Sequence, residues 1–226
     1  MHVVERASRA RLVARVIVAT DDERILTAVR SHGGQALITS TDAHSGTDRV
    51  AEVAAQIDAE VIVNVQGDEP LIEPSTIDAA IEPLILDTQI QISTTSEPID
   101  SIEDVFDPGV VKVVTDSRGF ALYFSRSPVP HIRAAPGLTL EQSLRRDPGL
   151  LSNYRKHSGL YAYRSGFLQQ LARMQPSRLE ALESLEQLRA LENGFGIRVV
   201  RVEHRSVGVD TGQDYERVKR LIEENP

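Results

Sequence analysis

Cysteine and tryptophan are both absent from the 226 residues of this chain. Without cysteine there is no disulfide framework, no thiolate metal centre and no cysteine nucleophile, a composition that suits the reducing cytoplasm. Aromatic residues are scarce, five Tyr and five Phe, so a core has to be assembled from Leu, Ile, Val and Ala. No apolar run approaches the length that crosses a bilayer. The first fifteen positions interleave Arg6, Arg9, Arg11 and Arg15 with short apolar pairs and never assemble the apolar segment of a signal peptide. Basic surplus is missing too: 33 Asp and Glu against 25 Lys and Arg leave a net charge of -8. That argues against a nucleic-acid coat, which needs a broad excess of cations. Any anionic ligand must be held by a local cluster instead.

What is present is ordinary for a globular protein: 41% hydrophobic and 26% charged residues. The length fits one large α/β domain with an ample core. The most informative stretch is VIVNVQGDEP at 61–70. Its first five residues are mostly β-branched and apolar on both faces, the pattern of a strand covered by helices on both sides, and it reads as a central strand. Gly67 permits a tight turn and Pro70 stops further ladder bonding. Open α/β sheets bind ligands beyond the carboxyl ends of their strands, so Asp68 and Glu69 at this tip are placed to hold a metal or a polar substrate.

Around this stretch strand and helix alternate. Helical spacing over 2–14 leads into a strand at 15–19, and Thr20 with Glu23 offers a capping box for a helix ending at Gly33. A strand at 35–38 opens a loop rich in small hydroxyl residues, where Thr47 is placed to cap the next helix; helix N-termini attract anions and acceptors. After 61–65 come a helix at 74–84, a strand at 91–95 and a helix entered at Ser101, the mark of βαβ units and a parallel sheet. Strands 110–115 and 120–124 read as a hairpin, followed by a stiff Pro-bracketed loop with Arg126 and Arg133. Residues 134–153, rich in Gly, Pro and Arg, read as a mobile excursion. A strand at 156–164 alternates polar residues toward a cleft. One long helix is expected over 178–193, its leucines at 179, 182, 185, 188 and 191 forming a buried stripe and its charges, including Glu183 and Glu186, a solvated edge. A strand at 197–202 and a terminal helix started by Thr211 and Asp214 complete the chain. No linker separates two domains.

These segments resemble one family, the 3-deoxy-manno-octulosonate cytidylyltransferases, or CMP-Kdo synthetases. The matching pieces are VIVATDD at 16–22, HSGTDR at 44–49, VIVNVQGDEPLI at 61–72, VVKVVTD at 110–116, ALYFSRSPVPHIR at 121–133, KHSGLYAYR at 156–164, LEALESLEQLRALENG at 179–194 and GVDT at 208–211. They occur in the family's order and span nearly the whole chain.

The resemblance implies a single nucleotide-diphospho-sugar-transferase-like (Rossmann-like) α/β domain over 1–226 with a mostly parallel mixed sheet. Within it, 110–164 would carry the hairpin, the Arg-rich loop and a sugar-binding and dimerisation region. It implies a cytoplasmic homodimer with no nucleic-acid or membrane partner. It implies a reaction, CTP and Kdo giving CMP-Kdo and pyrophosphate for lipopolysaccharide assembly, in which positioning and charge neutralisation dominate. By the same resemblance Asp68 and Asp210 are the ligands of a catalytic Mg2+, and Asp21, Ser45, Gly46, Thr47 and Gln66 lie near the nucleotide. Arg126 is a catalytic cation able to grip the sugar carboxylate at two points. Gln66, Arg133, His157, Tyr161, Arg164, Glu186 and Gln187 match sugar-binding positions.

One expected piece is missing. The family begins with a strand and a loop of the form R-x-x-S-x-R-L-P-G-K-P that holds the triphosphate, and residues 1–7 resemble the helix after it. Without that strand, neighbouring strand edges are expected to be unpaired. Either the product starts upstream of this Met, or a shortened protein exists. In the second case a non-catalytic sugar- or CMP-binding module or partner subunit is the competing function. A cytidylyltransferase for a related acid sugar, such as the 8-amino analogue, is the third.

Overall fold

The computed structural model describes residues 1–43, 45–133, 136–205, 207–209 and 211–224. The chain opens with α1 (His2–Ser8), shorter than the expected 2–14. Buried Asp78 explains the early stop, because its carboxylate accepts from the amides of Arg11 (3.2 Å) and Leu12 (2.9 Å) and draws that turn onto α4 (Pro74–Leu86). Next, β1 (Ile17–Thr20), α2 (Glu23–Ser31) and β2 (Gln35–Ile38) form a βαβ unit with parallel strands. The expected Thr20–Glu23 box is not how α2 starts. Asp22 caps it, accepting from the amide of Arg24 at 2.8 Å, while Thr20 Oγ1, still on the strand, accepts from the amide of Asp22.

The remaining strands are β3 (Val61–Asn64), β4 (Ile92–Pro98), β5 (Lys112–Thr115), β6 (Ala121–Ser125), β7 (Arg155–Arg164) and β8 (Ile197–Arg201). They form one mixed sheet in the order β6-β5-β7-β4-β8, with β3 also paired to β7. Strands β3, β4 and β5 each run antiparallel to β7, β8 runs parallel to β4, and β6 antiparallel to β5. Hence β3, β4, β5 and β8 share one direction, with β7 and β6 reversed. The βαβ alternation produced the common direction, and the hairpin after β5 produced the reversal.

The central position expected for β3 is corrected. Among the described residues β3 pairs only with β7, and β1 only with β2, so each keeps one edge without a ladder. Apolar residues on both faces reflect covering by helices rather than the number of neighbouring strands. Ile62 packs in the cluster with Ala51 and Ala54 of α3 (Gly46–Ala54) and Phe167 of α7 (Ser165–Ala172). Val61 and Val63 pack instead against Ile77, Ala80 and Leu84 of α4.

The stretch expected to be a mobile excursion is structured where it is described. Thr139 and Gln142 form a capping box at the start of α6 (Leu140–Arg146), and a 3-10 turn follows (Pro148–Asn153). Leu144 and Tyr154 are buried with Ile99 and with Val105 of α5 (Ile102–Phe106). The polar composition had masked two apolar anchors. At the end of the chain, Thr211 and Asp214 cap α10 (Gly212–Glu224) reciprocally, as expected.

Candidate active site

Alternation along β7 builds one wall of a cavity of about 300 Å³. His157, Gly159, Tyr161 and Tyr163 face it, while Leu160 and Ala162 pack into the core behind. Gly159 adopts a φ of 71° where the register of β4 with β7 shifts, a left-handed conformation that favours glycine. Asn64 and Gln66 at the end of β3 form a second wall, and Gly46 and Thr47 in the first turn of α3 a third. Ser45 is the cap of α3, its side chain accepting from the amide of Asp48, so the expected cap at Thr47 is corrected. Thr47 is buried and donates instead to Glu186 at 2.6 Å.

The fourth wall exists because the expected long helix is broken. Ser184, with φ 52° and ψ 51°, ends α8 (Arg178–Glu183), and a separate helix, α9 (Gln187–Glu192), starts after Leu185 and Glu186. The leucine stripe breaks with it: Leu182 is 70% exposed, whereas Leu185 and Leu188 are buried. The cause is a clamp from the hairpin side. The carboxylate of Glu183 accepts from Ser125 Oγ (2.8 Å) and the Arg126 amide (3.0 Å). The Arg126 guanidinium donates to the carbonyls of Glu183 (2.6 Å), Ser184 (3.2 Å) and Pro108 (2.9 Å), satisfying helix-end acceptors that would otherwise invite further turns. Lys112 braces the same corner. Its buried ammonium donates to the carbonyls of Asp107, Val110 and Arg126, and burial pulls it below the usual lysine range. The break brings Ser184, Leu185, Glu186 and Gln187 to the cavity.

The polar groups facing the cavity are unevenly satisfied. The Tyr161 hydroxyl and the Gln187 Nε2 are buried without a hydrogen-bond partner among the described residues. Such groups are costly unless a ligand or water completes them. Burial pushes both Tyr161 and Tyr163 well above the usual phenol range, so both stay protonated. His157 is pulled down to about 3 by burial, with a smaller push from Lys156, and stays neutral. Arg189 also lines the cavity, but its guanidinium is held by the buried carboxylate of Glu180 (Nε to Oε2, 2.8 Å, and Nη2 to Oε1).

Asp68 is exposed at the turn after β3, and its carbonyl accepts from the amide of Val209 at 2.9 Å. Asp210, the next residue in sequence, lies outside the described residues. Among the described residues no group of three or more His, Asp or Glu is arranged to hold a metal. Asp21 is ion-paired with Arg49 at 2.8 Å and Arg133 is exposed, and neither lines the cavity. Arg164, expected at the sugar, is the last residue of β7 and is absent from the cavity lining, donating to the carbonyls of Ile90 (3.1 Å) and Leu84 (2.5 Å) and pairing with Glu60. The family resemblance brought it into the set; the period of two along β7 turns it, like Leu160 and Ala162, to the α4 side.

A family model for cytidylyltransferases matches residues 1–203. A 3-deoxy-manno-octulosonate cytidylyltransferase of Geobacter sulfurreducens is 55% identical over 217 residues, covering 96% of this chain and 86% of the relative. The protein of that name from Geotalea daltonii is 51% identical over 223 residues, 99% of this chain and 87% of its own length. The chain belongs to the 3-deoxy-manno-octulosonate cytidylyltransferases. A solved CMP:2-keto-3-deoxy-manno-octonic acid synthetase complexed with CTP superposes with a TM-score of 0.87 at 39% identity, covering 100% of this chain and 87% of that one. A glucose-1-phosphate thymidylyltransferase from Bacillus anthracis, at 12% identity and a TM-score of 0.63, shares the fold alone.

Several residues of this cytidylyltransferase cavity escaped sequence reasoning: Asn64, Val111, Gly159, Tyr163, Ser184, Leu185 and Arg189. The period of two along 157–163 was signal enough for Gly159 and Tyr163. Nothing local marks Ser184, whose conformation is imposed by Ser125 and Arg126, which hold Glu183 and Ser184 from a distant part of the chain.

Proposed function

We propose that this chain transfers a cytidylyl group from CTP to the acid sugar Kdo, giving CMP-Kdo and pyrophosphate, a step of lipopolysaccharide assembly. The observation that carries the reading is the cavity between the first turn of α3 and the α8–α9 break, where the buried Tyr161 hydroxyl and Gln187 Nε2 have no hydrogen-bond partner among the described residues. A polyhydroxylated substrate supplies partners for both. In the reaction the sugar's anomeric oxygen bonds the α-phosphorus, and the bond from that phosphorus to the bridging oxygen breaks. Pyrophosphate leaves with the electron pair, and the anomeric proton passes to solvent or an acceptor. Little covalent work falls to the protein, so orientation is its main contribution.

In this proposal Ser45, Gly46 and Thr47 present the amino end of α3 to the nucleotide. Gln66 reaches both substrates, and His157, Tyr161, Glu186 and Gln187 hold the sugar. Arg126 shapes the sugar wall through the α8–α9 break. Asp68 and Asp210 would hold Mg2+: the exposed Asp68 carboxylate is a hard oxygen donor, and the amide of Val209, Asp210's neighbour in sequence, is bonded to the Asp68 carbonyl. Mg2+ takes one or two carboxylates together with phosphate oxygens and waters, and supplies charge neutralisation at the phosphates. A cytoplasmic homodimer belongs to the same proposal and is supported by the family resemblance. The test is pyrophosphate release from CTP with Kdo. Release that needs both substrates and CTP in preference to other nucleotides is expected, and its absence would overturn the reading.

A further inference from the structure

His157 is buried in β7, its ring edge-on to Phe124 with centroids 5.1 Å apart. Its Nε2 lies 3.0 Å from Oγ1 of Thr94, a β4 residue with no solvent exposure. The same Oγ1 lies 2.5 Å from the carbonyl oxygen of Leu160. A hydroxyl has one proton to give. Two oxygens that close would repel without a proton between them, so the Thr94 proton sits on the Leu160 contact. Toward the imidazole, Thr94 can then only accept, and the hydrogen in that contact belongs to Nε2. A neutral imidazole carries one N–H, which leaves Nδ1 as a bare acceptor. Nδ1 has no hydrogen-bond partner among the described residues, and His157 lines the cavity.

We propose that Thr94 is a positioning residue that fixes His157 as the Nε2-protonated tautomer, so that Nδ1 accepts a hydrogen bond from a hydroxyl of the acid sugar. The inference rests on the reading of this cavity as the sugar site. It also assigns a direction: a lone pair repels a carboxylate, so the sugar's carboxylate is turned away from His157 and a hydroxyl is selected there. Burial of the ring, which disfavours the imidazolium, keeps this polarity unchanged around neutral pH. Neither Thr94 nor the carbonyl of Leu160 needs to touch the substrate.

The test uses the full chain, labelled with 15N for histidine ring spectra, with Thr94→Val, Thr94→Ser and His157→Ala as variants. The expected result is an Nε2-protonated pattern for His157 in the wild type and in Thr94→Ser. In Thr94→Val, where shape is kept and the hydroxyl lost, that pattern should give way to a mixture. The KM or calorimetric Kd for Kdo should rise about tenfold, the scale of one hydrogen bond, while the KM for CTP stays within about twofold and Thr94→Ser restores the affinity. An Nδ1-protonated wild type overturns the proposal, and that measurement stands even if Thr94→Val fails to fold. Unchanged Kdo affinity in a folded Thr94→Val, with His157→Ala impaired, removes the role of Thr94 and leaves the sugar site intact. Unchanged Kdo affinity in His157→Ala removes the sugar-site reading itself.

Discussion

The hydroxyl of Thr47 donates to Oε2 of Glu186 at 2.6 Å, joining residues 139 positions apart across the cavity. It links the first turn of α3 to the residue that precedes α9, so the nucleotide and sugar sides of the proposed site are held by one bond. A hydrogen bond to a charged acceptor contributes about 1.5 to 3 kcal/mol. Thr47→Val should therefore lower unfolding stability by about 1 to 3 kcal/mol in urea titrations and reduce kcat/KM for Kdo by about tenfold or more. A variant with unchanged kinetics would show that the bond is structural only.

Asp68 and the segment ending at Val209 are already in register through a backbone bond of 2.9 Å. Asp68→Asn should keep the fold, because the residue is exposed, yet lower kcat by about a hundredfold, the scale of losing an electrostatic clamp. Chelation with EDTA should abolish pyrophosphate release, and added Mg2+ should restore it with a weaker apparent affinity in Asp68→Asn. Full activity in that variant would end the metal role.

His157 makes stability depend on pH with a definite sign. Its folded value, about 3, lies below the ordinary 6.5, so the unfolded chain takes up a proton that the folded chain refuses. The contribution is fully present above about pH 6.5 and is lost as pH falls toward 3, with a slope of up to about 1.4 kcal/mol per pH unit. Urea unfolding across this window should show a shallower decline in His157→Gln than in the wild type.

Glu180 and Arg189 form an ion pair whose side chains are each 10% exposed. Burial pushes Glu180 up, but the Arg189 hydrogen bonds and the amide of Ser177 outweigh it and hold the carboxyl below its ordinary 4.5. This stability is present above about pH 4.5 and disappears as pH falls through the lowered folded value. Arg189→Met should cost about 3 to 5 kcal/mol, because it strands a buried charge. The double variant Glu180→Met with Arg189→Met should recover most of that loss, and a cycle showing simple additivity would contradict the pairing.

The reading of β7 from sequence held because a strand's faces are set by a period of two, and KHSGLYAYR carries that period openly. The hairpin of β5 and β6, the cap at Ser101 and the reciprocal cap of Thr211 and Asp214 were likewise legible, since each is a contact among near neighbours. The cap at Thr47 and the single long helix over 178–193 failed for a shared reason. Which hydroxyl caps a helix, and whether a helix continues past Ser184, depend on atoms supplied from elsewhere.

Local chemistry and motif order alone determined the family, the α/β class and the set of polar residues to watch. Tertiary structure decided which of them share a cavity: it kept His157, Tyr161, Glu186 and Gln187 together, set Arg164 at the far end of its strand, and turned Arg126 to the carbonyls of Glu183 and Ser184. A side chain's surroundings are fixed by strand length, register and long-range hydrogen bonds, and none of these is written in the spacing of a single segment.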